Sequence, residues 1–285
     1  MDFSLSAFEP IADRVYRAVA QPEAVNIGLV VGTTGALLVD TGSSPEQGRT
    51  IREAAQAVAG GVPLTHVVVT HAHHDHLFGL SAMAGLDTIG HRGLGRALAS
   101  TPPSDALLRR LGVERDAVVE PARVFGLATS VDLGDCHAEM IHFGRGHTDH
   151  DVTVVVPQRR VIFFGDLLES SAPPSAGSDA WPAEWPKTLD GTLGALQKGF
   201  VVVPGHGDPM DREDAFIQRA ELHWHHDKAV ELYDAGREAS GAWSEDGGWP
   251  WPAEPTEQFL AQAIARLAES GRPRKAKRTL PLLNR

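Results

Sequence analysis

The chain has 285 residues, of which 42% are hydrophobic and 22% charged, a composition that allows a full hydrophobic core in a water-soluble protein. A formal net charge of −11 argues against an extended nucleic-acid surface, because phosphate binding depends on clustered Lys and Arg. The single cysteine, Cys136, excludes an internal disulfide and fits a reducing compartment.

We expect neither export nor membrane insertion. No apolar run approaches the length needed to span a bilayer. Residues 1–4 contain neither a basic segment nor a small-residue cleavage site, as a secretory signal would require. These features predict a cytoplasmic protein with no membrane partner.

The length suits one layered domain. We predict a single domain over residues 1–271, helical from about residue 211, followed by a basic tail over residues 272–285. We interpret the tail as a solvated terminus. Its cations are Arg272, Arg274, Lys275, Lys277 and Arg278.

The first predicted elements are a hairpin and a helix. Residues 26–31 and 36–40 are apolar runs around a Gly-Thr-Thr-Gly connection, which favours antiparallel strands. Ser44 then offers an N-cap, Pro45 occupies the first helical position, and Gln47 can close a capping box. The sequence therefore predicts a helix from Pro45 to the glycines at 60 and 61.

A cluster of histidines follows the next predicted strand, residues 66–70. His71, His73, Asp75 and His76 supply four imidazole or carboxylate groups within six residues. Such groups are ligands of Zn²⁺ and Fe²⁺, and loops at strand ends are accessible yet held by a rigid sheet. The stretch predicts a metal-binding loop.

Residues 91–111 predict helix, broken at residues 101–104, and we interpret them as an insertion over this site. Alternation within residues 130–143 favours strands. Glycines at 144 and 146 then allow the backbone to turn sharply before His147, which makes His147 a fifth candidate ligand.

Residues 152–156 and 161–164 predict a second hairpin, which leads to Asp166. Taken alone, Asp166 could be a helix N-cap or a ligand. The loop after it is long enough to line a pocket, and Trp181 and Trp185 are expected to form an apolar wall of that pocket. Residues 200–203 predict a last strand, ending near His206.

The rest of the chain predicts helices. Residues 190–196 favour a short one, Asp211 caps a second, and Thr256 begins a third. The expected inward faces are Phe216, Ala220 and Trp224 on the second helix, and Phe259, Leu260, Ala263, Ile264 and Leu267 on the third. His223, His225 and His226 cannot all point the same way from one helix, so we do not expect them to be ligands.

The His-x-His-x-Asp-His motif at 71–76, followed in order by His147, Asp166 and His206, resembles the ligand set of the metallo-β-lactamase-fold hydrolases, and the complete set is similar to that of glyoxalase II. The resemblance covers residues 26–207. It implies an α/β fold, a four-layer αββα sandwich with C-terminal helices. It also implies two metal ions: His71, His73 and His147 would hold one, Asp75, His76 and His206 the other, and Asp166 would bridge them.

The activity implied by this resemblance is hydrolysis by a hydroxide shared between two metals. Asp75 would be both a ligand and a catalytic acceptor that orients the hydroxide, while Asp40 would support the loop. Zinc is our first choice because the ligands are nitrogen-rich and hydrolysis needs no redox change, with iron or manganese as alternatives. Diiron flavoprotein relatives usually carry Glu where this chain has His73, which counts against them.

The sequence does not match the residue pattern of any one of three known subfamilies. True metallo-β-lactamases tend to have Cys or Ser in place of Asp166. The loop after Asp166 lacks the tyrosines of glyoxalase II and has only Lys187 as a base; lactonases use a nearby Tyr where this chain has Glu169 and Ser170. We expect a small-molecule substrate with an ester, thioester or lactone bond and no nucleic-acid partner. Alternatives are a persulfide dioxygenase-like iron enzyme, a phosphodiesterase or RNA-processing hydrolase, and a non-catalytic metal-binding protein. The sequence indicates no oligomeric state.

Overall fold

The computed structural model describes residues 3–194, 196 and 198–274, and its β-branched runs form a mixed sheet of twelve strands. In chain order these are β1 Glu9–Ala12, β2 Val15–Ala20, β3 Val25–Val31, β4 Ala36–Val39, β5 Leu64–Val68, β6 Asp87–His91, β7 Arg123–Phe125, β8 Ala128–Asp132, β9 His137–Ile141, β10 Thr153–Val156, β11 Val161–Glu169 and β12 Val201–His206. Both predicted hairpins are present, as β3–β4 and β10–β11.

The strand order explains why the sheet folds into two facing halves. Along the sheet the order is β7-β6-β5-β4-β3-β12-β11-β10-β9-β8, with β2 and β1 added beside β3. Strands β4 to β7 are parallel neighbours, as are β11 and β12. The two ends of this order, β7 and β8, are separated in the chain by only Gly126 and Leu127. A link of two residues spans roughly 10 Å, so the outer strands lie close together.

Seven helices lie within the described residues: α1 Pro45–Ala59, α2 His74–Leu77, α3 Gly93–Ser100, α4 Asp105–Leu111, α5 Trp185–Gly194, α6 Arg212–Asp234 and α7 Ala253–Glu269. No helix in this part of the chain is long and apolar enough to cross a membrane. Of the predicted basic tail, Lys275, Lys277 and Arg278 fall outside the described residues.

Three apolar clusters define the layers. The central one fills the space between the sheet halves with residues such as Val30, Leu37 and Met140. A second packs α1, α3 and α4 against one half, and a third packs α5, α6 and α7 against the other. The order of layers is helix, sheet, sheet, helix, which confirms the predicted four-layer α/β sandwich with C-terminal helices.

The capping signals in the sequence predict the start of α1 correctly, but not the starts of α5 and α7. Ser44 caps α1 by accepting from the Gln47 amide at 3.1 Å, as predicted. The Gln47 side chain accepts from the Ser43 amide at 2.7 Å instead of closing the box on Ser44. Helices α5 and α7 begin earlier than predicted, at Trp185 and Ala253.

The predicted inward face of α6 is wrong. Ala220 is exposed, and Phe216 and Trp224 are only partly buried. The buried stripe runs instead through Ala215, Gln218, Leu222, His225, Ala229 and Leu232. The stripe includes Gln218 and His225, polar residues that hydrophobic periodicity does not count toward a buried face.

Candidate metal centre

The histidine loop lies where β5 leaves the sheet. His71 and His73 follow the strand, and Asp75 and His76 lie in the single turn of α2. His71, Asp75 and His76 are buried, whereas His73 is partly exposed. The turn therefore brings all four side chains to one edge of the sheet.

Asp40 fixes this loop from the end of β4. Its carboxylate accepts hydrogen bonds from the Thr70 amide at 2.8 Å and the Thr70 hydroxyl at 2.9 Å. It also accepts from His76 Nδ1 at 2.8 Å. Because Nδ1 is occupied, Nε2 is the nitrogen of His76 left for the site. This is the supporting role expected for Asp40.

His147 arrives from the β9–β10 connection and completes a ring of three imidazoles. The ring centroids of His71, His73 and His147 lie 4.6 to 4.7 Å apart, with each pair of rings nearly perpendicular. His147 Nε2 is 3.8 Å and His71 Nε2 is 3.7 Å from Asp166 Oδ2. Three nitrogen-bearing rings thus surround one point beside a carboxylate oxygen.

Asp166 lies within β11 and is tightly enclosed. A Cβ atom on Gly205 of β12 would stand 1.8 Å from Asp166 Oδ1, so only glycine allows the two strands to approach here. That same Oδ1 is 3.1 Å from His76 Nε2 and 3.6 Å from His206 Nε2. The two carboxylate oxygens therefore face different groups of imidazoles.

His206 ends β12 and closes the second group. Its Nδ1 donates to the carbonyl of Glu23 at 2.9 Å, which directs Nε2 toward Asp75 Oδ2 at 3.2 Å. All seven predicted site residues thus converge, in two groups. In each group the potential ligand atoms lie within 4.8 Å of one another: His71, His73, His147 and Asp166 in one, and Asp75, His76 and His206 in the other.

These donors fit divalent cations. They are imidazole nitrogens and carboxylate oxygens, a set that zinc and iron accept. His71 Nε2, His76 Nε2 and Asp166 Oδ1 are buried without a hydrogen-bond partner. Buried polar atoms are rarely left unpaired, and atoms that share a cation approach closely without hydrogen-bonding each other. The residues therefore fit metal binding.

Charges within the cluster support the same interpretation. Burial alone would raise the pKa of Asp166, but the imidazoles of His76 and His71 hold it well below its usual value. Burial would likewise raise the pKa of Asp75, yet His76 and His206 lower it. Both carboxylates are therefore ionised in the protein, ready to stabilise cations.

Glu169, three residues after Asp166 on β11, behaves differently. Burial, reinforced by the negative charge of Asp166, raises the pKa of Glu169 to about 8. At neutral pH it is therefore largely protonated and adds little negative charge to the site.

Sequence reasoning missed three residues that hold the histidines in place, and the first two are aspartates. Asp151 accepts from the Thr148 amide and hydroxyl, both at 2.7 Å, and lies 3.6 Å from His147 Nδ1. Its position three residues after a Thr is a local signal that could have indicated this turn. Asp179 accepts from His73 Nε2 at 3.0 Å, a contact across 106 residues that no local pattern indicates.

His150 is a third missed support. Its Nε2 accepts from the amide of Ala72, between the first two histidines, at 3.1 Å. Its Nδ1 donates to Asp149 at 2.8 Å, and Asp149 in turn accepts from Arg96 of α3 at 3.0 Å. The predicted helical insertion over the site therefore contacts the histidine loop through this chain of polar groups.

A cavity of about 510 Å³ opens beside His73 and Asp179. Trp181 lines it, as expected. The expectation is wrong for Trp185, which is fully buried and donates from Nε1 to the Leu167 carbonyl at 3.0 Å. The first tryptophan belongs to the cavity wall and the second to the core.

Comparison with known proteins agrees with this geometry. The family model described as the metallo-beta-lactamase superfamily matches residues 20–223. The chain is 29% identical over 188 residues to metallo-beta-lactamase type 2 of Bacillus cereus, covering 65% of this chain and 68% of that protein. It is 25% identical over 206 residues to the 2,4-dinitroanisole O-demethylase subunit alpha of a Nocardioides strain, covering 72% of this chain and 56% of that protein.

A solved metallo-beta-lactamase from Pontibacter korlensis superposes with a TM-score of 0.62 at 22% identity, covering 78% of this chain and 99% of that one, which supports the fold. With its family match, its fold and its convergent histidines and aspartates, the chain belongs to the metallo-β-lactamase superfamily of hydrolases.

Proposed function

We propose that the protein is a binuclear metal-dependent hydrolase that cleaves an ester, thioester or lactone bond of a small molecule. The observation that carries the proposal is the position of Asp166. Its Oδ2 faces His71 and His147, and its Oδ1 faces His76 and His206. A carboxylate between two groups of donors is suited to neutralise and space two cations.

The assignment of ligands follows these groups. His71, His73 and His147 would hold one ion, Asp75, His76 and His206 the other, and Asp166 would contact both. When bound, two divalent ions would lower the pKa of a water molecule and polarise the carbonyl oxygen of the substrate. Zinc suits the nitrogen-rich donors, and iron or manganese are the alternatives.

Asp75 is the residue we assign to catalysis. Its pKa is lowered, so the carboxylate is an acceptor for a proton of the attacking water at neutral pH. Its Oδ2 lies between His206 Nε2 at 3.2 Å and His76 Nε2 at 3.5 Å, within the second donor group. An ionised acceptor held here would orient a nucleophile within the metal centre.

The cavity favours a small and largely uncharged substrate. Arg96 and Arg266 line it, but Arg96 pairs with Asp149, and Arg266 donates to the carbonyls of Ser178 and Ala180. A phosphodiester would need cations directed at its phosphate. Ester, thioester and lactone carbonyls have no such requirement, and Trp181 offers them apolar contact area.

A second candidate is hydrolysis of a β-lactam amide. The observation that favours it is the 29% identity to metallo-beta-lactamase type 2 of Bacillus cereus. A β-lactam presents a strained cyclic carbonyl, the same electrophile that a lactone offers. The two candidates therefore differ in the leaving group and not in the residues that act.

The test combines elemental analysis with a substrate panel. Protein purified under metal-replete conditions should contain two zinc ions per chain and turn over at least one ester, thioester or lactone. The panel includes a β-lactam, an aryl methyl ether, a phosphodiester and a persulfide with oxygen uptake measured. One iron with oxygen uptake, or turnover of only the phosphodiester, would overturn the proposal; turnover of only the β-lactam would establish the second candidate.

A further inference from the structure

The last helix, α7, lies beyond residue 223, where the match to the family model ends, yet it reaches the candidate site. Three of its side chains, Gln258, Gln262 and Arg266, are spaced four residues apart and so share one face of the helix. They contact the long connection between β11 and α5, residues 170–184. An element outside the family match therefore touches the segment that follows Asp166.

The contacts form a regular series of side-chain donors and backbone acceptors. Gln258 donates to Ala176 O at 3.4 Å, Gln262 to Ser178 O at 2.9 Å and to Ala180 O at 3.0 Å, and Arg266 to Ser178 O at 3.0 Å and to Ala180 O at 3.1 Å. The three acceptors are alternate carbonyls of the connection. Two consecutive turns of α7, at Gln262 and Arg266, thus bind both carbonyls that flank Asp179.

Asp179 is the residue whose position these bonds determine. Its carboxylate accepts from His73 Nε2 at 3.0 Å, which leaves Nδ1 of His73 as the nitrogen available to the group of His71 and His147. The Asp179 side chain is 45% exposed and that of His73 is 34% exposed. A pair this accessible to water contributes too little to hold the connection in place by itself. The backbone around Asp179 must be held by other contacts.

Arg266 also fixes the neighbouring cavity wall. Its guanidinium lies 4.1 Å from the ring centroid of Trp181, and Arg145 covers the same ring at 3.8 Å. Arg145 is itself held by Glu184 through two hydrogen bonds of 2.7 and 2.6 Å. Residues 178–181 are therefore anchored by α7 through two carbonyls and one aromatic ring, in addition to the Trp181 amide, which donates to the Gly146 carbonyl at 2.8 Å.

We propose that α7 is a positioning element for the candidate metal centre: Gln262 and Arg266 hold Asp179 against His73 and thereby orient the His73 imidazole toward His71 and His147. The inference rests on the proposed function, since His73 needs this orientation only if it is a ligand. Partners that orient a ligating histidine typically contribute 10- to 100-fold to metal affinity. Gln262 and Arg266 act on His73 only through Asp179, so their effect on metal affinity depends on the Asp179 carboxylate.

The experiment compares zinc affinity, measured by chelator competition at fixed pH, in four variants. The double variant Gln262→Ala/Arg266→Gln and the single variant Asp179→Asn should each lower the affinity for one of the two zinc ions by about 10-fold or more. The triple variant should bind no more weakly than Asp179→Asn alone, because a residue that acts through another is not additive with it. Glu254→Gln, an exposed change on the first turn of α7, is the matched control and should leave affinity unchanged.

Unchanged zinc affinity in the double variant, or full additivity in the triple variant, would overturn the inference. If the double variant does not fold, Gln262→Ala alone serves, since it removes only an amide at a partly buried position. Hydrogen exchange in the zinc-free protein separates the two proposals. If the wild type binds no zinc, the proposed function is refuted. If the double variant does not accelerate hydrogen exchange at the Ala180 and Trp181 amides, the holding role of α7 is refuted.

Discussion

Buried histidines occur in two regions of this protein, and their neighbours differ. At the sheet edge, His71 and His76 each keep a buried ring nitrogen without a hydrogen-bond partner, beside Asp166. In the helical layer, His225 is equally buried, but it stacks on Trp251 at 3.8 Å and its Nδ1 donates to the Glu221 carbonyl at 2.8 Å. Burial does not distinguish a candidate ligand from a core histidine; the groups around it do.

The pKa values of one histidine from each region, His206 and His225, move in opposite directions. Burial alone would lower the pKa of His206, but the neighbouring carboxylates of Asp166 and Asp75 raise it to about 11. Burial lowers the pKa of His225 to about 4, against a single hydrogen bond to a carbonyl. The carboxylates of Asp166 and Asp75 make the surroundings of His206 attractive to cations, whether protons or metal ions. Burial with no carboxylate partner makes the surroundings of His225 unfavourable for a positive charge.

Removing the shared carboxylate is the strongest test of this difference. If the centre is binuclear, Asp166→Ala should reduce the metal content from two ions per chain to one and lower kcat/KM by about 10³-fold, because the carboxylate proposed to neutralise both cations is lost. Elemental analysis and steady-state kinetics measure these two results. A wild-type content that stays at one ion under metal-replete conditions, unchanged in the variant, would contradict the binuclear arrangement.

The candidate ligands could be found from the sequence because each comes after a recognisable run of strand-forming residues. His71, Asp166 and His206 lie at the ends of β-branched runs, and such runs are local signals. The four-layer order followed from the resemblance that these residues carry. Both hairpins were predicted correctly for the same local reason.

The supports of the site could not be found in this way. Asp179 contacts His73 across 106 residues, and α7 reaches the connection around Asp179 across 82 to 88 residues. These contacts depend on how layers pack, which a single sequence does not encode locally. The inward face of α6 was wrong for a related reason: His225 is buried by stacking on Trp251, a residue of the connection before α7.

A pH experiment tests the helical side of the comparison. The pKa of His225 is about 4 in the folded protein and about 6.5 when unfolded, so the unfolded chain binds its proton first as pH falls. The free energy of unfolding therefore falls by about 3 kcal/mol between pH 6.5 and pH 4 through this residue alone. Urea unfolding of the metal-free protein across that range should show a smaller loss for His225→Phe than for the wild type.

His223→Phe is the matched control, because His223 lies on the same helix with a side chain that is 55% exposed. Its pH dependence of unfolding should equal that of the wild type. An identical pH dependence for His225→Phe and the wild type would mean that His225 is not a neutral core residue, and the contrast between the two regions would fail.

A milder change at the sheet edge separates catalysis from metal retention. Asp75→Asn preserves the shape of the side chain and leaves six of the seven candidate ligands unchanged. The protein should stay folded and keep much of its metal. It loses the carboxylate proposed to accept a proton of the attacking water, so kcat/KM should fall by about 10²-fold or more. Full activity of this variant would show that Asp75 has no part in orienting the nucleophile.

The smallest expected effect belongs to His74, which lies between the candidate ligands in sequence but not in space. Its Nε2 is 3.3 Å from Glu23 Oε1 and its Nδ1 is 3.6 Å from Asp75 Oδ1, and its side chain is 23% exposed. Such a pair contributes about 0–1 kcal/mol, so His74→Ala should change kcat/KM by less than about fivefold and leave the metal content unaltered. Comparing His74→Ala with Asp75→Asn tests whether two adjacent residues of one helical turn have different roles, one catalytic and one supporting. A His74→Ala protein as inactive as a ligand variant would mean that the roles within this turn are assigned wrongly.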